Sequence, residues 1–309
     1  MGKSTSSRDT PPIHDVDLRL LRIFKSVVEF EGFSAAEEHL GIGRSTISKH
    51  ISGLEERLNV RLCERGRSGF SVTPHGRTVY AATIELLDAL ESFRSKVSTA
   101  KGRLSGNVSI WVMDNSHNEA GLPLTAALSR FKKRPGNAHI SLNAASPRSV
   151  EEAVESGAAH IGTTIANAGI SGITYVPIGE ELTSIYCSAE HPIAEPAKSG
   201  HVTDEMLANS DFVMRGYLRN ELNFKRSSKS TATTGHVEAT LQLVLTGHYI
   251  GVIPDHIANR WVTTGRLVKL PLPDTPGRAV VYLIYRDKAR ANPTVSAFIE
   301  DIVDCYSKS

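Results

Sequence analysis

The N-terminal third of the chain carries short amphipathic segments separated by glycines, and this pattern limits the fold more than any other feature. In the first segment, the apolar residues recur at spacings of three and four, namely Leu18, Leu21, Phe24 and Val28. This spacing places them on one face of a helix over 17–31, which Gly32 ends. Ser34 at an N-cap position and Glu37 three residues later form a capping-box pattern, which predicts a second, short helix ending at Leu40.

A third helix is predicted over 44–58, after a turn that contains Gly41 and Gly43. Its buried stripe consists of Ile47, Ile51, Leu54 and Leu58. The opposite face begins small, polar and basic, and it comprises Arg44, Ser45, Ser48, Lys49 and Ser52, with Glu56 further along. These two helices are joined by a glycine turn, and the second begins with several hydrogen-bond donors. Such a second helix is suited to insertion into the major groove of double-stranded DNA. The same pairing is also common in proteins that never bind DNA.

A basic hairpin is predicted after the third helix, with a tight turn between its strands. The two strands are expected over 60–64 and 70–73. Residues 44–77 hold seven basic residues against three acidic ones, whereas the net charge of the whole chain is only +2. Arg65 and Arg67 at the tip of this wing are placed to enter a minor groove or to lie along phosphates, and the alternative is a solvated basic turn.

Thr73 and Pro74 are typical of the N-cap and first residue of a helix, here a long fourth one. Its apolar positions alternate steps of four and three, as in the seam of a two-helix coiled coil, and are Val79, Thr83, Leu86, Leu90, Phe93 and Val97. We therefore expect a dimerisation helix over 76–100, although a helix packed on its own domain would show a similar pattern. Residues 101–106 lack the apolar periodicity and predict a hinge.

The remaining residues, 107–309, predict an α/β domain. Strands are expected over 108–113, 139–144, 161–165, 183–188, 212–215, 250–253 and 280–285. Helices are expected over 122–133, 237–245 and 295–303. A further helix is expected to begin at Ser149 as its N-cap, with Glu152 three residues later. The alternation indicates parallel βαβ units, and the number of elements suits two α/β lobes.

Several motifs occur together over 18–76. They are Leu-x-x-Phe at Leu21–Phe24, Gly-Phe-Ser-x-Ala at Gly32–Ala36, Ser-Thr-Ile-Ser-Lys-His-Ile at Ser45–Ile51, Leu-Glu-Glu-Arg-Leu at Leu54–Leu58, and Thr73–Gly76. This combination resembles the LysR-type transcriptional regulators. The resemblance implies a winged helix-turn-helix over residues 15–75 of this chain. The predicted DNA-binding residues are Arg44, Ser45, Thr46, Ser48, Lys49, Ser52, Arg65, Arg67 and Thr73. Arg44 replaces the family's usual glutamine, Asn59 its glycine and Cys63 its phenylalanine.

A weaker resemblance covers 107–309, carried by Leu122-Pro, His191-Pro, Glu238-Ala and Gly247–Pro254. It implies a two-lobed effector domain similar to type 2 periplasmic binding proteins, an effector of unknown identity, and a homotetramer built as a dimer of dimers, with RNA polymerase as a possible partner. Ligands of α/β sheets gather beyond strand carboxyl ends and at helix N-termini. The effector-binding residues predicted there are Asn115, Ser116, His117, Thr163, Thr164, Asn167, Arg215, Tyr217 and Glu238, each of which could equally be a solvated loop residue.

Other classes of protein fit the sequence less well. No hydrolase, zinc-protease or phosphate-loop motif is present, so we expect no catalytic residue, no cofactor and no metal, and His236 and His248 are too loosely spaced to indicate one. Residues 1–14 resemble a disordered arm without the apolar core of a secretion signal, and no apolar run suits a membrane span, so we expect a cytoplasmic protein. An exported solute-binding protein would not explain the basic wing. The cysteines are expected to be structural, and a redox switch between Cys187 and Cys305 is the alternative.

Overall fold

The computed structural model describes residues 12–66, 69–114, 124–216, 229–272 and 277–306. The chain folds as two units, residues 1–91 and 92–309. The boundary between them lies inside the fourth helix and not at the predicted hinge over 101–106. Backbone hydrogen bonds join that segment to the second unit, from Leu104 N to Pro135 O at 2.8 Å and from His139 N to Gly106 O at 2.9 Å.

The first unit contains three helices, a two-stranded hairpin and the start of a long helix. These are α1 (Asp15–Glu29), α2 (Phe33–Leu40), α3 (Arg44–Leu58), β1 (Cys63–Gly66), β2 (Gly69–Val72) and α4 (Pro74–Thr99). The core includes the fully buried side chains of Phe24, Ile47, Ile51, Leu54 and Leu62. The winged helix-turn-helix architecture is therefore confirmed.

Two predicted helix caps are wrong. Helix α2 begins at Phe33 after Gly32, so Ser34 lies inside the helix rather than capping it. The reason is packing, because the Phe33 ring is buried edge-to-face on Phe70, with 5.6 Å between ring centroids. The other cap, in the second unit, is Ser146 rather than Ser149: the Ser146 hydroxyl accepts a hydrogen bond from the Ser149 N–H, and Pro147 follows at the first helical position.

The second unit is an α/β structure with a nine-stranded sheet in the order β4-β3-β5-β11-β6-β9-β7-β8, and β10 pairs with β6. Its strands are β3 (Asn107–Met113), β4 (His139–Ala145), β5 (Ile161–Thr164), β6 (Ile173–Ser188), β7 (Asp211–Arg215), β8 (Lys229–Thr234), β9 (Tyr249–Pro254), β10 (Leu267–Lys269) and β11 (Arg278–Arg286). Its further helices are α5 (Leu124–Lys132), α6 (Pro147–Ser156), α7 (Ala194–Lys198), α8 (Asp204–Ala208), α9 (Val237–Leu245), α10 (Asp255–Thr263) and α11 (Pro293–Tyr306), with a 3₁₀ turn at Asp287–Ala291.

Strand β6 divides the second unit into two lobes. Up to Leu182, which pairs with Arg278, it runs antiparallel to β11 in lobe one. From Thr183, which pairs with Pro254, it runs antiparallel to β9 in lobe two. Strands β3, β4 and β5 are parallel in lobe one, and β7, β8 and β9 are parallel in lobe two, which confirms the predicted parallel units. Along the described ranges, no helix has the length and apolar character that a bilayer crossing requires.

Candidate DNA interface and ligand cleft

Helix α3 presents a polar and basic surface at its N-terminal end. The predicted contact residues Arg44, Ser45, Thr46, Lys49 and Ser52 are exposed, and Ser48 is half-buried. Gly43 precedes the helix and offers no capping side chain to its first backbone N–H groups. A helix terminus of this kind suits an anion such as a DNA phosphate.

Two polar contacts fix the C-terminal half of α3 in the first unit. Arg57 donates from Nη2 to Oδ2 of Asp17 on α1 at 2.9 Å, and from Nε to Oδ1 of the same carboxylate. The hydrogen bond from Arg57 lowers the pKa of Asp17, whose side chain is buried, to about 2. Glu55 Oε1 accepts from the backbone N–H groups of Leu62 at 2.8 Å and Cys63 at 3.1 Å. Together these contacts tie the recognition helix to α1 and to the strand that leads into the wing.

The wing is a short antiparallel hairpin in which Glu64 pairs with Ser71 and Gly66 with Gly69. Arg65 lies in β1, whereas its side chain and the whole of Arg67 fall outside the described part of the structure. Thr73, predicted to contact DNA, is buried, and its hydroxyl donates to Arg61 O at 2.7 Å and accepts from Gly76 N at 2.8 Å. Thr73 is thus the N-cap of α4, and a DNA contact from it stays a prediction.

The predicted seam of α4 is partly covered. Val79 and Leu86 pack against the core of the first unit, and Thr83 is buried. Phe93 and Val97, further along the same seam, are 67% and 46% exposed. An exposed phenylalanine on a helix is unfavourable in water, so this end of the seam is suited to a partner helix.

The predicted effector-binding residues fall into three groups. Asn115, Ser116, His117 and Tyr217 lie outside the described residues. Thr164 and Asn167 are engaged locally, because the Thr164 hydroxyl donates to Pro147 O at 3.1 Å and Asn167 Oδ1 accepts from Gly169 N at 3.2 Å. Arg215 at the end of β7, Glu238 at the start of α9 and Thr163 in β5 remain as candidates for lining a cleft.

Asp114 connects the two lobes at this cleft. It follows β3 in lobe one, and its Oδ2 accepts a hydrogen bond from Val237 N, in the first turn of α9 in lobe two, at 2.8 Å. Nδ1 of His236 lies 3.7 Å from the same oxygen. Ligand-type atoms of Asp114, His236 and Glu238 all lie within 4.8 Å of one another, which is close enough for these side chains to hold a divalent cation.

Glu181 adds a second buried carboxyl group to the cleft. It lies in β6 immediately before the strand passes from lobe one to lobe two, and it is 8% exposed. Burial raises the pKa of Glu181 to about 7; the positive charge of Arg215 opposes this rise and the negative charge of Asp114 adds to it. Burial likewise raises the pKa of Asp114, while the N–H of Val237 and the charge of Arg215 lower it. Arg215 itself is 3% exposed. Asp114, Glu181 and Arg215 therefore bring charged groups together away from water where the two lobes meet.

Two family models match the chain. The one described as "Bacterial regulatory helix-turn-helix protein, lysR family" matches residues 18–77, and the "LysR substrate binding domain" matches residues 113–304. The HTH-type transcriptional activator BauR of Pseudomonas aeruginosa is 38% identical over 94% of this chain and 95% of its own length. The chain is a LysR-type transcriptional regulator. It joins a DNA-binding helix-turn-helix to a domain that binds a small-molecule effector. A more distant relative, the regulator BenM of Acinetobacter baylyi, is 24% identical over 94% of this chain and 97% of its own.

Solved structures of full-length regulators share the fold. A full-length variant of OxyR from Pseudomonas aeruginosa superposes with a TM-score of 0.63 at 18% identity, covering 95% of both chains. ArgP from Mycobacterium tuberculosis has a TM-score of 0.61 at 17% identity, covering 93% of this chain and 96% of its own. CbnR in complex with its target DNA has a TM-score of 0.58 at 19% identity, covering 93% of this chain and 99% of its own.

Two of the regulator's departures from the usual family residues have structural explanations. Asn59 ends α3 in the left-handed conformation, with φ 51° and ψ 38°, and its N–H bonds to carbonyl groups of the last turn. Glycine is the commonest residue in that conformation and asparagine is among the few others that adopt it readily. Cys63 is 1% exposed within the core of the first unit, where a smaller side chain than phenylalanine is accommodated.

Sequence reasoning missed Glu181, did not include Asp114 among the predicted effector-binding residues, and set His236 aside because it is too loosely spaced from His248 to indicate a metal. The missed signal was the position of Glu181, an acidic residue two positions before the buried run 183–188. A charged side chain near the end of such a run indicates either the edge of a sheet or a polar cleft. The two possibilities are distinguished only by the passage of β6 from one lobe to the other.

Proposed function

We propose that the regulator reads its operator with the N-terminal half of α3 and with the wing. The observation that carries this proposal is the combination of exposed Arg44, Ser45, Thr46 and Lys49 with an uncapped helix terminus. Arg44 would meet a base edge, the serine and threonine hydroxyls would meet bases or phosphates, and Lys49 would meet a phosphate.

The salt dependence of DNA binding tests this assignment. DNA from beside the regulator's own gene would be titrated with the full chain at several salt concentrations, and the bound sequence mapped by footprinting. Lys49→Ala should weaken binding on all sequences and reduce the slope of log K against log salt by about one. Lys198→Ala, an exposed lysine of the second unit, serves as the control and should leave the slope unchanged. An unchanged slope for Lys49→Ala would contradict its phosphate contact.

We further propose that the regulator dimerises through the α4 seam and assembles as a dimer of dimers, with the second unit supplying the other interface. The exposed Phe93 and Val97 support the first contact. Two recognition helices held in this way would meet half-sites about 34 Å apart or a multiple of that spacing. Sedimentation of the full chain at micromolar concentration tests the assembly, and a monomer would contradict it.

The cleft between the lobes is the proposed effector site, with Asp114, Glu181, Arg215 and Glu238 as its charged lining. Binding there would shift the lobes and thereby the spacing or bend of the DNA-bound dimers. The activator name of BauR supports activation as the sign of regulation, with RNA polymerase as the partner. Because the operators of a chromosome lie in the cytoplasm, we place the protein there, with no catalytic step assigned to it. Transcription in vitro from the footprinted promoter, with and without the protein, tests the sign.

A further inference from the structure

We propose that the effector of this regulator carries a protonated amine, which Glu181 and Asp114 bind inside the cleft. This inference rests on the proposed role of the cleft as the effector site and adds the chemical class of the ligand. It is carried by the balance of buried charges and by two buried polar groups, those of Glu181 and Thr163, that have no hydrogen-bond partner among the described residues.

The first argument is the charge balance. Among the described residues, two buried carboxyl groups, those of Asp114 and Glu181, are grouped with one buried guanidinium group, that of Arg215, while Glu238 and His236 beside them are exposed. The side chains of Asp114, Glu181 and Arg215 are buried, where an excess of one sign of charge is costly. A cationic ligand would relieve this excess, whereas a carboxylate would add to it.

The second argument is the state of the Glu181 carboxyl group. It makes no hydrogen bond within the described ranges, although it is 8% exposed. Burial raises the pKa of Glu181 although the positive charge of Arg215 opposes this rise, so a further cation beside the carboxyl group would favour its charged form. An ammonium group beside it would supply both the missing charge and the missing donors.

The third argument is the Thr163 hydroxyl. Thr163 is 1% exposed, and its Oγ1 has no hydrogen-bond partner in the described part of the chain. It pairs in parallel register with Val112 of β3, two residues before Asp114. Val112 is the last residue but one of β3, so Thr163 lies beside the strand end that Asp114 directly follows. A ligand donor that reaches Asp114 is therefore well placed to satisfy Thr163.

The test uses short unbranched amines, carboxylates and alcohols matched in chain length, titrated calorimetrically into the full chain. Amines should bind, and carboxylates and alcohols of the same length should not. Glu181→Gln should weaken amine binding by at least about tenfold, because it removes one partner of a buried charge pair. Glu180→Gln is the matched control: Glu180 is the neighbouring residue, is exposed, and pairs with Arg278 at 2.9 Å, so amine affinity should not change.

Three results would overturn the inference: equal or tighter binding of the matched carboxylates or alcohols, amine binding that is indifferent to Glu181→Gln, or no amine binding to the wild-type chain. If Glu181→Gln fails to fold, the comparison of amines with their matched carboxylates on the wild-type chain still tests whether the effector carries an amine. DNA retention of the same preparation without ligand is measured in parallel. If this preparation does not bind DNA, the proposed function is contradicted. If it binds DNA but does not prefer amines to the matched carboxylates and alcohols, only the ligand class is contradicted.

Discussion

At the residue scale, Arg44 occupies an exposed position at the very start of the recognition helix, where the family's usual residue is glutamine. We predict that Arg44→Ala reduces the preference for one base pair of the operator by about 1–3 kcal/mol, the cost of losing a bidentate contact to guanine. Binding to a panel of single-base operator variants measures this. Arg44→Lys separates the alternatives, since lysine keeps the charge but cannot form the planar two-bond contact. If Arg44→Lys restores full specificity, the arginine contacts phosphate instead.

The buried Asp17 gives the first unit a dependence on acid. Its pKa is lowered to about 2 by Arg57, so the pair stabilises the fold above the ordinary carboxyl pKa, and this stability is lost as the pH falls from about 4 towards 2. Asp17→Asn should lower the melting temperature of the first unit at neutral pH by on the order of 5 °C and flatten this acid loss. Far-UV circular dichroism follows both units. Tryptophan fluorescence reports the second unit alone, because Trp111 and Trp261 lie there.

Asp15→Asn is the control for that experiment. Asp15 is an exposed acidic residue in the same first turn of α1, and its substitution should leave both the melting temperature and its pH dependence close to wild type. An equal effect of the two substitutions would show that helix-terminal charge, rather than the pair with Arg57, stabilises the unit.

At the scale of elements, the junction between the wing and α4 depends on one close backbone approach. A Cβ atom on Gly76 would lie 2.1 Å from Leu62 O, and neither backbone segment can move without disturbing the Thr73 cap. Gly76→Ala should therefore destabilise the first unit by about 3 kcal/mol. Gly53→Ala is the matched substitution inside α3, where a Cβ meets nothing within 4 Å, and it should stabilise the helix by roughly 0.5–1 kcal/mol. Denaturation followed by circular dichroism measures both, and similar signs would contradict the close-packing argument.

The elements show which structural features a periodic pattern can predict. Helices α1, α3 and α9 and the parallel strands carry enough apolar repeats for their faces to be read directly. The prediction of a helix cap was wrong where tertiary packing sets the first residue of the helix, as the packing of Phe33 does for α2. The long β6 was predicted only over 183–188, because its first half, over 173–180, is at most partly buried and has a weak apolar signal. Strand β10 has three residues, too few for any period.

At the scale of the whole molecule, most residues of the proposed DNA interface share one local sequence pattern, whereas those of the proposed cleft do not. The proposed contact residues of α3 lie close together on that helix and share its periodicity. The proposed cleft comprises Asp114, which follows β3, and Glu181, Arg215 and Glu238, which lie on three other elements, and only the sheet topology brings them together. No local pattern contains that information, so sequence reasoning found the strand ends but not the carboxyl group at the crossing of β6.

The assembly of the molecule depends on the uncovered end of α4. Phe93→Glu places a charge at a seam position that is 67% exposed in the single chain, so folding should be unaffected while pairing with a second helix is prevented. We predict a shift towards monomer in sedimentation, with operator affinity falling because one recognition helix alone contacts one half-site. Ala81→Glu, an exposed position about 120° round the same helix, should leave the assembly intact. If Phe93→Glu sediments as the wild type does, the chains must associate through another surface, and α4 is then only the connection between the two units.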